Sequence, residues 1–257
     1  MISPLANVSP KAKIGKNVTI EAFATVYGDV EIGDNTFIHP NAVIYPDTII
    51  GSGCQIFPGA IIGIVSQDLK YKGEKSNTVI GNNTIIREYA TIHKGTADRM
   101  TTAVGNNCLL MAYSHVAHDC IIGNNVIMAN YVGLAGHVTI EDYVIIEGYG
   151  AVQQFLTIGA HCFIAGCSQV RKNIPPYIRV AREPLQYVGV NTVGLARRGF
   201  DKETINAIED IYRLVFVRRH NVTKALELVE QEITDSTVKT QIVDFIKASK
   251  DGIIKGI

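Results

Sequence analysis

The 257-residue sequence has no tryptophan and only 8 phenylalanines. A chain of this length can bury a sizeable core, so small and aliphatic side chains must fill it. Neither charge is in excess: 24 Lys and Arg balance 24 Asp and Glu. No block of like charge stands out, which gives no support for nucleic-acid binding or an acidic tail. No apolar run is long enough to span a bilayer, and Met1-Ile2-Ser3-Pro4 is not a basic segment leading into an apolar core. The expectation is a cytoplasmic protein that is not membrane-embedded. The 5 cysteines lack paired spacing, which argues against a disulfide framework and against a CxxC metal clip.

What is present is a period of six. Every sixth position from Ile2 to Val170 is aliphatic, except at Asp68, Glu74 and Asp98. That makes 26 aliphatic residues at 29 positions, where the overall composition would give roughly 14 by chance. Four residues after each aliphatic position comes a small one, from Ala6 and Ala12 through to Ser168, with Lys72 and Leu156 as exceptions. One aliphatic and one small inward residue per hexad fit a triangular parallel β-helix. Each hexad is then a strand plus a turn, and three hexads make an 18-residue coil. Coils would stack about 4.8 Å apart through parallel β hydrogen bonds. Gly15, Gly33, Gly51, Gly105, Gly123 and Gly159 suit corners where the backbone turns sharply. Period alone leaves the hand open.

Cys54, Cys108, Cys120 and Cys162 fall in the small column and read as buried packing residues. Residues 63–79 and 94–103 leave the coil as polar loops, and loops on a rigid solenoid commonly carry function. After Pro176 the pattern becomes helical. Asp201 can cap a helix with Ile205, Ile208, Ile211, Tyr212 and Val215 inside, followed by helices near 222–233 and 237–249. The expected domains are a β-helix over 1–176 and a small helical domain over 177–257. Because flat coil faces form no closed pocket, a site between neighbouring subunits is expected, and a homotrimer suits a triangular prism.

Stacking arithmetic brings His118, His137, Gln153, Gln154 and Arg171 to one face or corner, with His115 nearby. Histidine can accept a proton near neutral pH, and Asp119 follows His118. Adjacent strand residues point to opposite faces, so Asp119 can orient His118 only where the backbone leaves the regular strand. There is no phosphate-binding glycine loop, no dinucleotide fingerprint and no Ser/His/Asp order that dictates covalent catalysis.

These motifs resemble those of the UDP-N-acetylglucosamine O-acyltransferases over nearly the whole length. The stretches that carry the resemblance run from Ser66 to Tyr71, Thr91 to Thr96, His115 to Cys120, Leu134 to Val138, Gly189 to Asn191 and Arg197 to Phe200. The resemblance implies a mainly β fold, a left-handed parallel β-helix with a C-terminal helical domain, although crossovers are ordinarily right-handed. It implies transfer of a 3-hydroxyacyl chain from acyl carrier protein to UDP-N-acetylglucosamine, the first step of lipid A synthesis. His118 would be the general base, Asp119 its assistant, and Gly136 an oxyanion donor. Asp68, His115, His137 and Gln154 would contact the sugar and the acyl hydroxyl, with Lys70 and His93 near the nucleotide and phosphates. Asn191 and Arg197 or Arg198 would hold the nucleotide or the carrier's phosphopantetheine arm. Gly166 matches the family's acyl-length ruler. Neither a metal nor a resident cofactor is implied. The basic cluster Arg171, Lys172, Arg179 and Arg182 would dock the acidic carrier.

Gln153, Val193 and Pro184 depart from the family's usual His, Glu and His. These departures bear on nucleotide recognition rather than on the reaction. An N-acyltransferase of the same pathway would carry an extra N-terminal domain, whereas the hexads here begin at Ile2. An acetyl-CoA-dependent transferase and a zinc carbonic anhydrase on the same helix are the other rivals. The spacing of His115 and His118 does not match the latter.

Overall fold

A computed structural model describes residues 1–218 and 220–256. Short strands wind into a left-handed parallel β-helix with three faces. The first face stacks nine strands from Asn7–Val8 to Gln169–Val170, and the second stacks eight from Lys13–Ile14 to Thr157–Ile158. The third runs from Thr19–Ile20 to Phe163–Ile164, then adds Ile178–Ala181 in parallel and Gln186–Val190 antiparallel.

Coils pair in steps of 18, as Ile121 with Thr139, except beside the loops. There Ile61 pairs with Thr91 and Thr78 with Thr48, 30 residues apart, while Thr91 pairs with His115, 24 apart. The inserted lengths are therefore whole hexads, which is why the aliphatic frame survives them. Both loops leave the first face and return on the second, after Ile61–Ile64 and after Thr91–His93. They emerge on one edge of the prism, here called the histidine edge.

The aliphatic column fills the interior: Ile20, Ile38, Ile56, Ile86, Leu110, Met128, Ile146 and Ile164 are completely buried. The small column beside it also satisfies backbone. Thr36 and Thr84 hydroxyls donate to the carbonyls of Gly51 and Gly105 at 2.8 Å. The Cys54, Cys108, Cys120 and Cys162 thiols reach Gly81, Gly123, Ala135 and Pro175 carbonyls at 2.9–3.1 Å. Burial pushes the Cys120 thiol up to about 12, so these four pack rather than react.

The edge glycines have a different reason from the one their spacing suggests. Gly15, Gly33, Gly105 and Gly123 do not carry positive φ; a Cβ on any of them would lie within 3 Å of the next coil's backbone. The left-handed turn falls two residues later, on Asn17, Asn35, Asn107 and Asn125, and elsewhere on Asp, Tyr, His, Phe, Gly or Cys. Asn and Asp tolerate that conformation. Tyr89, Tyr113, Tyr131 and Tyr149 hold it while stacking at 4.9–5.2 Å along the edge between the third and first faces.

The C-terminal region holds α1 (Thr192–Arg197), α2 (Lys202–Tyr212), α3 (Val222–Glu232) and α4 (Thr237–Ala248). Asp201 caps α2 by accepting from Thr204 N at 2.7 Å. Regular α geometry stops at Tyr212 and a π turn carries Arg213–Val217, so Val215 is buried from that turn instead of from α2. Tyr212 is fully buried and its hydroxyl donates to the Pro176 carbonyl at 2.6 Å, fastening α2 to the last coil.

Candidate active site

On the histidine edge the left-handed position is taken by Asp119, His137 and Phe155 in successive coils. That break from strand geometry turns Asp119 back beside its neighbour: His118 Nδ1 lies 2.8 Å from Asp119 Oδ2. The bond to a carboxylate fixes Nδ1 as the protonated nitrogen and leaves Nε2 as the acceptor. Nε2 is 3.9 Å from Asp68 Oδ2, which the first loop carries over the edge.

Asp119 is completely buried. It accepts from Thr96 N at 2.9 Å, Thr96 Oγ1 at 2.6 Å and Arg99 N at 3.2 Å. Arg99 also donates to its carbonyl at 2.9 Å. Burial opposes the charge, but the Thr96 hydroxyl, His118 and these N–H groups outweigh it and hold the carboxyl below its usual range.

His137 meets His118 edge to face at 5.0 Å and stacks on Phe155 at 4.5 Å. Its Nδ1 is 3.0 Å from Asp98 Oδ2, but outside hydrogen-bond geometry. Gly136 is required by contact: a Cβ there would sit 2.6 Å from His118 Cε1 and Nε2. The Gly136 N–H makes no hydrogen bond among the described residues, and the residue is buried against the His118 ring.

The cleft beneath, about 740 Å³, is lined by Asp68, Lys70, His115, His118, His137 and Gln154 among others. His115 Nδ1 lies 2.8 Å from Thr91 Oγ1, and burial, with a smaller push from His93, brings its pKa down to about 4. It is neutral near pH 7. Gly133 and Ala151 follow His115 along the outer surface of the first face, leaving a floor of small residues. Sequence reasoning missed that floor, although successive steps of 18 from His115 would have reached both.

Other implied residues lie elsewhere. His93 is buried, its Nδ1 bound to the Val65 carbonyl at 2.7 Å and its ring edge-on to His115. There it secures the root of the first loop. Asn191 is also buried; it caps α1 through Gly194 N and donates to the His161 carbonyl at 2.9 Å. Arg198 lies over Tyr143, and Arg197 is exposed beside it in α1. All three belong to the edge between the second and third faces, not to this chain's histidine edge. Gly166 is on the remaining edge and its N–H binds Glu147. Its φ is not positive, so the turn itself does not call for glycine there. Arg171 stands in register with Gln153 at the histidine edge, as stacking arithmetic has it, but it contacts Gln169 and borders a smaller cavity with Lys172.

His118, Asp119 and His137 offer ligand atoms within 4.8 Å of one another. Asp119 already accepts from Thr96, Arg99 and His118.

A hexad-built prism with a histidine–aspartate pair over a surface cleft defines a hexapeptide-repeat transferase, and the bacterial transferase hexapeptide pattern matches residues 11–45, 29–64 and 101–136. Residues 173–254 match the second domain of UDP-N-acetylglucosamine O-acyltransferase. The chain belongs to the UDP-N-acetylglucosamine O-acyltransferase family. It is 49% identical to the acyl-(acyl-carrier-protein)--UDP-N-acetylglucosamine O-acyltransferase of Sulfurihydrogenibium sp., covering 98% of this chain and 93% of that protein. Its likeness to the Aliivibrio fischeri protein of the same name is 43%, over 99% and 100% of the two chains. Among solved structures, a UDP-N-acetylglucosamine acyltransferase from Bacteroides fragilis superposes with a TM-score of 0.98 at 47% identity, covering 99% and 100%. One from Francisella novicida gives 0.96 at 40%, covering 99% and 94%.

Proposed function

We propose that this chain moves an (R)-3-hydroxyacyl group from acyl carrier protein to the 3-hydroxyl of UDP-N-acetylglucosamine, the first step of lipid A biosynthesis, by direct attack. The observation that carries the reading is the His118–Asp119 pair over the cleft, 2.8 Å apart, in a chain whose relatives bear that enzyme name. Nε2 of His118 takes the hydroxyl proton as the oxygen attacks the thioester carbonyl, and Asp119 stabilises the imidazolium. The tetrahedral oxyanion is met by the Gly136 N–H. The C–S bond then breaks and the departing thiolate takes the proton from His118. The acyl chain arrives on the carrier's phosphopantetheine, so no resident cofactor and no metal takes part.

Asp68, Lys70, His115, His137 and Gln154 hold the sugar and the acyl hydroxyl. The acyl chain follows the floor of Gly133 and Ala151, and Gly166 leaves room for its far end. Asn191, Arg197 and Arg198 serve the cleft of a neighbouring copy in a homotrimer, since their own edge is a different one. The basic cluster at Arg171, Lys172, Arg179 and Arg182 receives the acidic carrier. No helix among the described residues is long and apolar enough to cross a membrane, consistent with work in the cytoplasm.

The test is acyl transfer from carrier to UDP-N-acetylglucosamine, with several chain lengths, by the parent chain and by His118→Ala. Product from the parent and a loss of about 10²–10⁴-fold in the folded variant are expected. Absence of product at every length would overturn the reading and direct attention to acetyl-CoA donors.

A further inference from the structure

We infer that Thr96 is a positioning residue for this reaction: its hydroxyl and backbone N–H clamp the Asp119 carboxylate in the orientation that holds His118 ready to accept a proton. The inference rests on the proposed role of His118 as base.

Asp119 has no solvent to orient it, being completely buried. Its side-chain oxygens are fixed by the segment 94–100: Thr96 N and Oγ1 at 2.9 and 2.6 Å, and Arg99 N at 3.2 Å. The coil itself contributes one hydrogen bond to the carboxylate, from His118 Nδ1, with His137 Nε2 at 3.9 Å from Oδ2, while Thr102 Oγ1 accepts from the Asp119 backbone N–H at 2.8 Å. Oδ2 is thus shared between the Thr96 hydroxyl and His118. A carboxylate with one partner can swing about its terminal torsion; with donors on both oxygens it cannot, and charge-assisted bonds of this length are the strong ones.

The clamp is itself strapped down. Ala97 N–H donates to Glu74 Oε1 at 2.9 Å, joining the second loop to the first, the loop that brings Asp68 to 3.9 Å from His118 Nε2. Ser76 Oγ donates to the Gly95 carbonyl, and Lys94, nearly buried, pairs with Asp47 at 3.1 Å. The two loops therefore bear on both nitrogens of one imidazole, the first through Asp68 at Nε2 and the second through Asp119 at Nδ1, and Thr96 is the residue whose side chain transmits that order to the base.

Thr96→Val keeps the shape and removes only the hydroxyl; Thr96→Ser keeps the hydroxyl. The expected result is a fall in kcat of about 10-fold or more for Thr96→Val, the size associated with losing one charge-assisted hydrogen bond. KM for UDP-N-acetylglucosamine should stay within about twofold, and Thr96→Ser should restore most of the rate. A readout independent of turnover is the His118 Nδ1 proton resonance, expected downfield in the parent and in Thr96→Ser but shifted or broadened in Thr96→Val. Should Thr96→Val fail to fold, Glu74→Ala loosens the same segment from outside and should lower kcat in the same direction by less. Parent-like kcat and an unchanged His118 resonance in folded Thr96→Val would overturn the inference. Equal losses in the Val and Ser variants would do the same. A fully active His118→Ala would instead defeat the base assignment, leaving the resonance to report on the clamp alone.

Discussion

At the scale of single residues, the site depends on where side chains are missing as much as on where they are present. Gly136 has no conformational need to be glycine, yet a Cβ would fall 2.6 Å from the His118 ring, and the ring is held from the other side by Asp119 at 2.8 Å. Something must shift, and the imidazole is the part that can turn. Gly136→Ala is therefore expected to leave thermal stability within about 1 kcal/mol, since the methyl displaces a ring that lines the cleft rather than the aliphatic core. It should lower kcat by about 10²-fold, since a misplacement near 1 Å at a reacting group is costly. Melting curves beside steady-state kinetics check this; a variant of parent-like rate would show that the ring has room to spare. The same dependence explains which residue roles were hidden in the sequence. The spacing of His118 and His137 put them one coil apart, but a regular strand would have separated Asp119 from His118. Only the left-handed φ of 58° at Asp119 brings the pair together; Asp119 stands in the same every-sixth-residue turn column as Asp29, Asp47 and Asn125, a column that sequence reasoning did not read.

At the scale of elements, the coil was legible because its restraint repeats: each hexad must bury one aliphatic and one small residue, and 30- and 24-residue pairings preserve the count across the loops. The loops were visible only as a lapse in the pattern at Asp68, Glu74 and Asp98. Their mutual bonds depend on tertiary placement, so Thr96 and Glu74 could not be assigned from spacing. Edges also set protonation. His161 stacks between Tyr143 and Tyr177 at 4.9 and 5.5 Å, and burial, then the nearby Arg198 charge, lowers its pKa to about 4. His115 is lowered to about 4 as well, from an ordinary value of 6.5. Unfolding lets both take up protons more readily, so the stability they confer is complete above pH 6.5 and is lost as pH falls toward 4. Asp119, held low, loses its contribution only at still lower pH, as the solution passes below the ordinary value of 3.8. The urea midpoint should therefore drop between about pH 6.5 and 4. His161→Tyr, matching its column neighbours Tyr143 and Tyr177, should flatten part of that drop. An unchanged slope in the variant would remove His161 from the account.

At the scale of the whole molecule, the residues that the proposed reaction calls on lie on two different edges of one chain. His118, Asp119 and the loops occupy the histidine edge, while Asn191 and Arg198 are anchored to His161 on the next. A rigid parallel solenoid cannot fold one edge onto another, so in the proposed trimer the halves meet across copies. The proposed trimer thereby makes a prediction that a self-contained active site would not. His118→Ala and Arg198→Ala should each be nearly inactive alone. Unfolded together in equal amounts and refolded, they form mixed rings in which some clefts draw His118 from one variant and Arg198 from the other. In a cyclic assembly with random mixing, half the clefts hold an intact histidine and half of those an intact neighbouring arginine, so recovery approaches about a quarter of the parent rate. Mixing without unfolding should recover nothing, because subunits that pack along such faces exchange slowly. Recovery near zero after refolding, with both variants folded and trimeric by sedimentation, would mean that Arg198 serves its own chain's cleft or none.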